Sequence, residues 1–292
     1  MAQAAGLAGA AALGPLGRRS AAATERLDDP EAWLGATALI DHRAPQIRVI
    51  ARAAARRAGA REAGAARDAA RDAARDAARD AARDDAIARL LFVEVRDRIR
   101  FGFTRGFWRR SATQVLADGL GYCVTKSTLF VALLRAAGIP ARQVFVDIDR
   151  EVLRGIVDPG TPYVDHCYVE AFIGQTWART DAFILDPPLY EAATARLKRE
   201  GRVFGYGAHV EGLNHWDALH PTFSQFAFPH AEAISTRAWG PYQDADAFYG
   251  AAHPPGMRPW NRLNALLRAG FGALSDGANA RAKAIRADAG RL

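Results

Sequence analysis

The sequence predicts an α+β fold, and three observations carry the prediction. Between residues 29 and 137 the apolar side chains recur at helical spacing. At Gln143 the period switches to two, and two strands follow around a tight turn. A cysteine, Cys123, stands at the start of the last helix before that switch. The chain thus reads as helices first and paired strands afterwards.

Taken in order, residues 1–24 are Ala/Gly-rich and contain no acid. Arg18-Arg19 follow the apolar stretch instead of preceding it, so it makes a poor secretory leader and is expected to be disordered. Asp29-Pro30-Glu31-Ala32-Trp33-Leu34 opens a helix with proline in its first turn. Asp41 to Ala58 is read as a second helix. Residues 67–84 repeat Arg-Asp-Ala-Ala four times and close on Arg-Asp. The charges cancel and no large apolar side chain is present, so the repeat is expected to be a solvated helical insertion. It lacks the 3.5-residue apolar period of a coiled coil.

Asp85 to Arg100 carries Ile87, Leu90, Leu91, Val95 and Ile99 on one helical face. The helix from Cys123 buries Leu129, Phe130, Leu133, Leu134 and Ala137. Gly138 suits the position just past its end, and Pro140 forbids continuation. Gln143–Ile148 and Cys167–Ile173 read as strands. Gly174-Gln175 reads as a type II′ turn into a third strand, Thr176–Thr180, which Phe183-Ile184-Leu185 is expected to extend. Residues 190–260 read as ordered loops and short helices. Trp260 to Leu267 looks helical, and the last 20 residues look frayed.

Composition narrows the function. Half of the residues are hydrophobic, enough for a sizeable core. There are two cysteines, Cys123 and Cys167, and no disulfide framework, which points to a reducing, cytoplasmic setting. No apolar stretch is long enough to span a membrane as a helix, and no membrane partner is expected. Net charge is +7, but the arginines are scattered without interleaved aromatics, so no nucleic-acid partner is expected. His209, His215, His220 and His230 match no zinc spacing, and no metal or cofactor is expected.

The chemistry points to Cys123. A thiol in the first turn of a helix feels partial positive charge, which favours the thiolate. His166 and Asp181 follow it, an order compatible with acyl transfer. A two-residue loop at Gly174-Gln175 makes paired positions sum to 349. His166, Tyr168 and Asp181 then share one face, with Asp181 diagonal to His166. Cys167 points to the opposite face and is read as inert core. Glu170 lies too far along the strand to orient His166, and Asp165 should point away from it.

Three blocks resemble the transglutaminase-like superfamily, relatives of the papain-type cysteine peptidases. They are Gly121-Tyr122-Cys123-Val124-Thr125-Lys126 with its Leu133-to-Arg142 tail, Asp165-His166-Cys167-Tyr168-Val169-Glu170, and Trp177-Ala178-Arg179-Thr180-Asp181. Val95-Arg96-Asp97-Arg98-Ile99 resembles the family's upstream helix. The resemblance implies an α+β fold, with a Cys-bearing helix packed on an antiparallel sheet that carries His and Asp. It implies one such domain over 25–260, with its core at 85–190, the insertion at 67–84 and a helical tail at 261–292. It further implies Cys123 as nucleophile, His166 as general base and then acid, and Asp181 as the orienting carboxylate. A peptide or protein substrate is expected, attacked at an amide carbonyl, with hydrolysis favoured over amine transfer. The alternative is a catalytically inactive binding or scaffolding module on the same fold. For the oxyanion site, Gln114, Trp108 and Tyr168 are candidates beside the Cys123 backbone N–H.

Overall fold

The computed structural model describes residues 29–63, 73–226, 235–250 and 264–289. The expectations for residues 1–24, the repeat's first six residues and His230 lie outside them. Pro30–Trp33 is a single 3-10 turn capped by Asp29, shorter than the helix expected there. Helix α1 spans Pro45–Ala63 and α2 Ala73–Arg98. Residues 73–84, the last two thirds of the repeat, are therefore helical and continuous with α2. Short α3 (Ala112–Asp118) precedes α4 (Cys123–Ala136). Strands β1 (Arg100–Phe101) and β2 (Leu120–Gly121) pair in parallel and set the ends of α2 and α4 side by side.

Helix α4 is the central element. Every residue from Cys123 to Arg135 is buried, so it is enclosed on all sides, the polar run Thr125-Lys126-Ser127-Thr128 included. It ends as the sequence predicts. Gly138 adopts φ 86°, the Gly138 N–H donates to the Arg135 carbonyl, and the Ile139 N–H donates to the Leu134 carbonyl. Those two bonds make a Schellman cap.

One face of a four-stranded antiparallel sheet packs on α4. Its order is β5 (Thr176–Thr180), β4 (Tyr163–Ile173), β3 (Ala141–Asp149) and β8 (Ser235–Tyr242). This is the α+β arrangement of a Cys-bearing helix on an antiparallel sheet. The β4–β5 register is as derived, with Ile173 opposite Thr176 and Val169 opposite Thr180. The turn differs: Gly174 and Gln175 both have positive φ, 56° and 70°, which makes it type I′.

Other departures lie beyond Thr180. There the chain leaves the sheet, and Phe183, Ile184 and Leu185 turn inward as fully buried core instead of extending β5. Their apolar side chains satisfy the core in either conformation, so alternation alone could not separate the two. The segment read as ordered loops and short helices contains the short helix α6 (Ala245–Gly250) but also the 14-residue helix α5 (Pro187–Glu200), hairpin strands β6 (Phe204–Gly205) and β7 (Ala208–His209) and edge strand β8. The C-terminal stretch is the long helix α7 (Asn264–Ala289), which buries Ala278, Ala282 and Ile285 and is not a frayed end. Arg286 anchors it, bonding both Asp186 oxygens and the Phe101 carbonyl. Among the described residues no helix is long and apolar enough to cross a membrane.

Candidate active site

Cys123 is the first residue of α4. Gly121 allows this start: a Cβ there would stand 2.8 Å from Thr125 Oγ1 and 3.0 Å from Lys126 Cγ. The Tyr122 N–H donates to Thr125 Oγ1 at 3.0 Å, which fixes the first turn. The adjoining Lys126 is fully buried. Its Nζ donates to the Ile99 carbonyl at 2.6 Å and the Ile184 carbonyl at 2.9 Å. Lys126 thereby ties the first turn of α4 to the turn that begins at Asp181, where the Ile184 N–H donates back to the Asp181 carbonyl.

His166 comes from β4, opposite Val146 of β3. Its Nε2 is 2.9 Å from Asp181 Oδ2, and both side chains are almost wholly buried. The other carboxylate oxygen, Asp181 Oδ1, accepts from the Ser224 N–H, the Ser224 hydroxyl and the Gln225 N–H. A parallel bridge, Thr180 to Thr222, brings that segment alongside. Phe226 meets the His166 ring edge-on at 5.5 Å. Thus the 222–226 segment holds the carboxylate that holds the imidazole. Sequence reasoning missed it, because no motif marks a contact made by backbone amides.

Cys123 and His166 line one cleft together with Tyr122, Asp165 and Gln225. The cleft has room for several waters or one side chain. The backbone N–H groups of Cys167 and Val124 approach the Cys123 sulfur. The expectation of a lowered thiol pKa is overturned all the same. Burial, followed by the negative charge of Asp165, pushes Cys123 up to about 12, against those two backbone bonds. The resting group is a thiol.

The remaining candidates sort clearly. Gln114 faces solvent and closes a capping box with Ser111 on α3. The Trp108 indole donates to Asp246 of α6. Neither lines the cleft, so both drop out as oxyanion donors. Tyr168 packs on Phe223 and Phe226, one layer behind His166. Cys167 is fully buried beneath the sheet and does not line the cleft. Glu170 is taken by Arg142 and Arg179. Asp165 does not orient His166. It accepts from the Tyr249 hydroxyl and faces the cleft, a placement that alternation within one strand could not foresee. Among the described residues no cluster of three metal-ligating side chains occurs.

Comparison with known proteins bears on the same segment. A solved structure described as "a Putative Cysteine Protease from Cytophaga hutchinsonii" is similar at 19% identity and a TM-score of 0.34. That similarity covers 55% of this chain and 43% of that one, less than half of its length. No curated protein matches the chain. Residues 71–182 match the model of the transglutaminase-like superfamily. The segment that holds Cys123, His166 and Asp181 is therefore similar to that superfamily, as its three motifs predict.

Proposed function

We propose that the chain is a cysteine enzyme that transfers or hydrolyses an acyl group through Cys123, His166 and Asp181, with hydrolysis as the net reaction. The observation that carries this reading is the buried His166–Asp181 hydrogen bond opening on the cleft that Cys123 lines. Since Asp181 occupies Nε2, the imidazole nitrogen free to take the thiol proton is Nδ1. In the first step Sγ bonds to the carbonyl carbon while the thiol proton passes to His166. As the carbon–nitrogen bond breaks, that proton moves to the leaving amine. Water then attacks the thioester carbonyl, giving a proton to His166; the carbon–sulfur bond breaks, the acid leaves, and that proton returns to the Cys123 sulfur. The chemistry needs no cofactor, and a reducing, cytoplasmic setting would keep both cysteines as thiols.

A peptide pool incubated with the protein and a fluorescent primary amine tests this. New amino termini that vanish in Cys123→Ala support hydrolysis, and amine incorporation supports transfer. A second reading, an inactive binding module, draws on the high thiol pKa and near-complete burial of Cys123. Absence of both Cys123-dependent products would favour it.

A further inference from the structure

Apart from its reacting groups, the cleft beside Cys123 is apolar. Phe101, Phe103 and Phe107 line it on one side, Val152 on another, and Leu274 and Ala278 of α7 complete the wall. Its polar side chains are mostly committed elsewhere. His166 bonds Asp181, Asp165 accepts from Tyr249, and the Gln225 amide donates to the Gly207 carbonyl. One donor has no partner. The Tyr122 hydroxyl is buried, in a residue only 5% exposed, and makes no hydrogen bond. Its ring is held between Phe103 and Phe107 at centroid distances of 5.2 and 5.3 Å. A buried hydroxyl without a partner destabilises the fold, so keeping one beside a nucleophile calls for an explanation.

The leaving amine and the incoming water must pass through the open side of the cleft. The enclosed part is then left to the group that stays bonded to sulfur. We infer that this group is an apolar or aromatic acyl chain, and that the Tyr122 hydroxyl donates a hydrogen bond to one of its oxygens. An acidic or strongly polar acyl group would lose its hydration against phenylalanine walls without replacement bonds. This inference rests on the reading of Cys123 as nucleophile.

The test uses the full chain and p-nitrophenyl esters of acetate, butyrate, octanoate, 3-phenylpropionate and hemisuccinate. Acylation forms the Sγ–carbon bond, breaks the ester bond and releases one nitrophenolate per protein, while the thiol proton passes to His166. The acylation constant is expected to rise at least about 10-fold from acetate to octanoate or phenylpropionate, with hemisuccinate below acetate. Tyr122→Phe should lower it about 10-fold while the unfolding midpoint stays level or rises, because the hydroxyl has no partner in the fold. A flat or falling series, or a preference for hemisuccinate, overturns the apolar acyl site. Unchanged rates in Tyr122→Phe overturn the role of the hydroxyl. If no ester gives a burst that Cys123→Ala abolishes, the nucleophile reading itself falls, and the ester series separates that failure from the others without any Tyr122 variant.

Discussion

Lys126 offers the sharpest physical test of this fold. Its amine lies at 0% exposure beneath the site, and burial, opposed mainly by the charge of Asp186, pushes its pKa from 10.5 down to about 7. Between those values the unfolded chain binds a proton that the folded chain does not. Stability therefore rises with pH through that window. Below about pH 7 both states are protonated and the full cost applies, about 5 kcal/mol for this gap. Above pH 10.5 the cost vanishes. From pH 7 to pH 9 the expected gain is about 2 kcal/mol. Buried tyrosines and cysteines titrate with the opposite sign, so the readout is the difference between the wild type and Lys126→Met in urea unfolding. Methionine also strands the Ile99 and Ile184 carbonyls, but that loss does not vary with pH. A difference that stays flat between pH 7 and pH 9 would refute a neutral amine at this position.

Three further outcomes are expected. Asp181→Asn should keep the fold but lower turnover about 10²–10⁴-fold, because the carboxylate that orients the imidazole is gone; steady-state kinetics with the best ester would show it. Cys123 should be alkylated by iodoacetamide at pH 7.5 more slowly than free cysteine, and as fast in urea; rapid native alkylation would mean a resting thiolate. Arg286→Ala should cost about 3–5 kcal/mol and speed hydrogen exchange in α7, since it leaves Asp186 buried without its partner. Burial raises the Asp186 pKa, but the Arg286 bond and charge and the Phe101 N–H outweigh it and hold the carboxyl below 3.8. That contribution is present above pH 3.8 and is lost as the pH falls below it, which acid titration of Arg286→Ala against wild type would reveal.

Legibility followed the range of the forces involved. The end of α4 was readable because Gly138 and Pro140 act on their own backbone. The β4–β5 register was readable because a two-residue turn fixes it, although Gly-Gln did not distinguish type I′ from II′. The chain from Phe183 to Leu185 was misread because burial in a core turn and burial in a strand demand the same side chains. The hold of Ser224 and Gln225 on Asp181 was invisible, since two of its three donors are main-chain N–H groups that leave no trace in residue identity and the third, the Ser224 hydroxyl, sits in no motif. Helix α7 was misjudged because small alanines, which look like a frayed end by composition, are what close packing against the core requires.

Cys123 shows how magnitude decides between two correct principles. A helix N-terminus offers an anion about 0.3–1 kcal/mol. Displacing the thiol pKa from 9.0 to about 12 corresponds to about 4 kcal/mol against the thiolate. Burial wins, so the helix start positions the sulfur without ionising it. In the proposed reaction, a thiol that does not ionise at rest places the burden on His166, whose Nδ1 would remove the proton as the carbonyl arrives. That in turn makes the fixed imidazole, and the amides of 222–226 that fix Asp181, part of what any reaction at Cys123 depends on. The same dry surroundings that penalise the thiolate strengthen every hydrogen bond aimed into the cleft, including the one proposed for Tyr122. A site built this way would be slow toward small reagents and fast only toward a ligand that fills it.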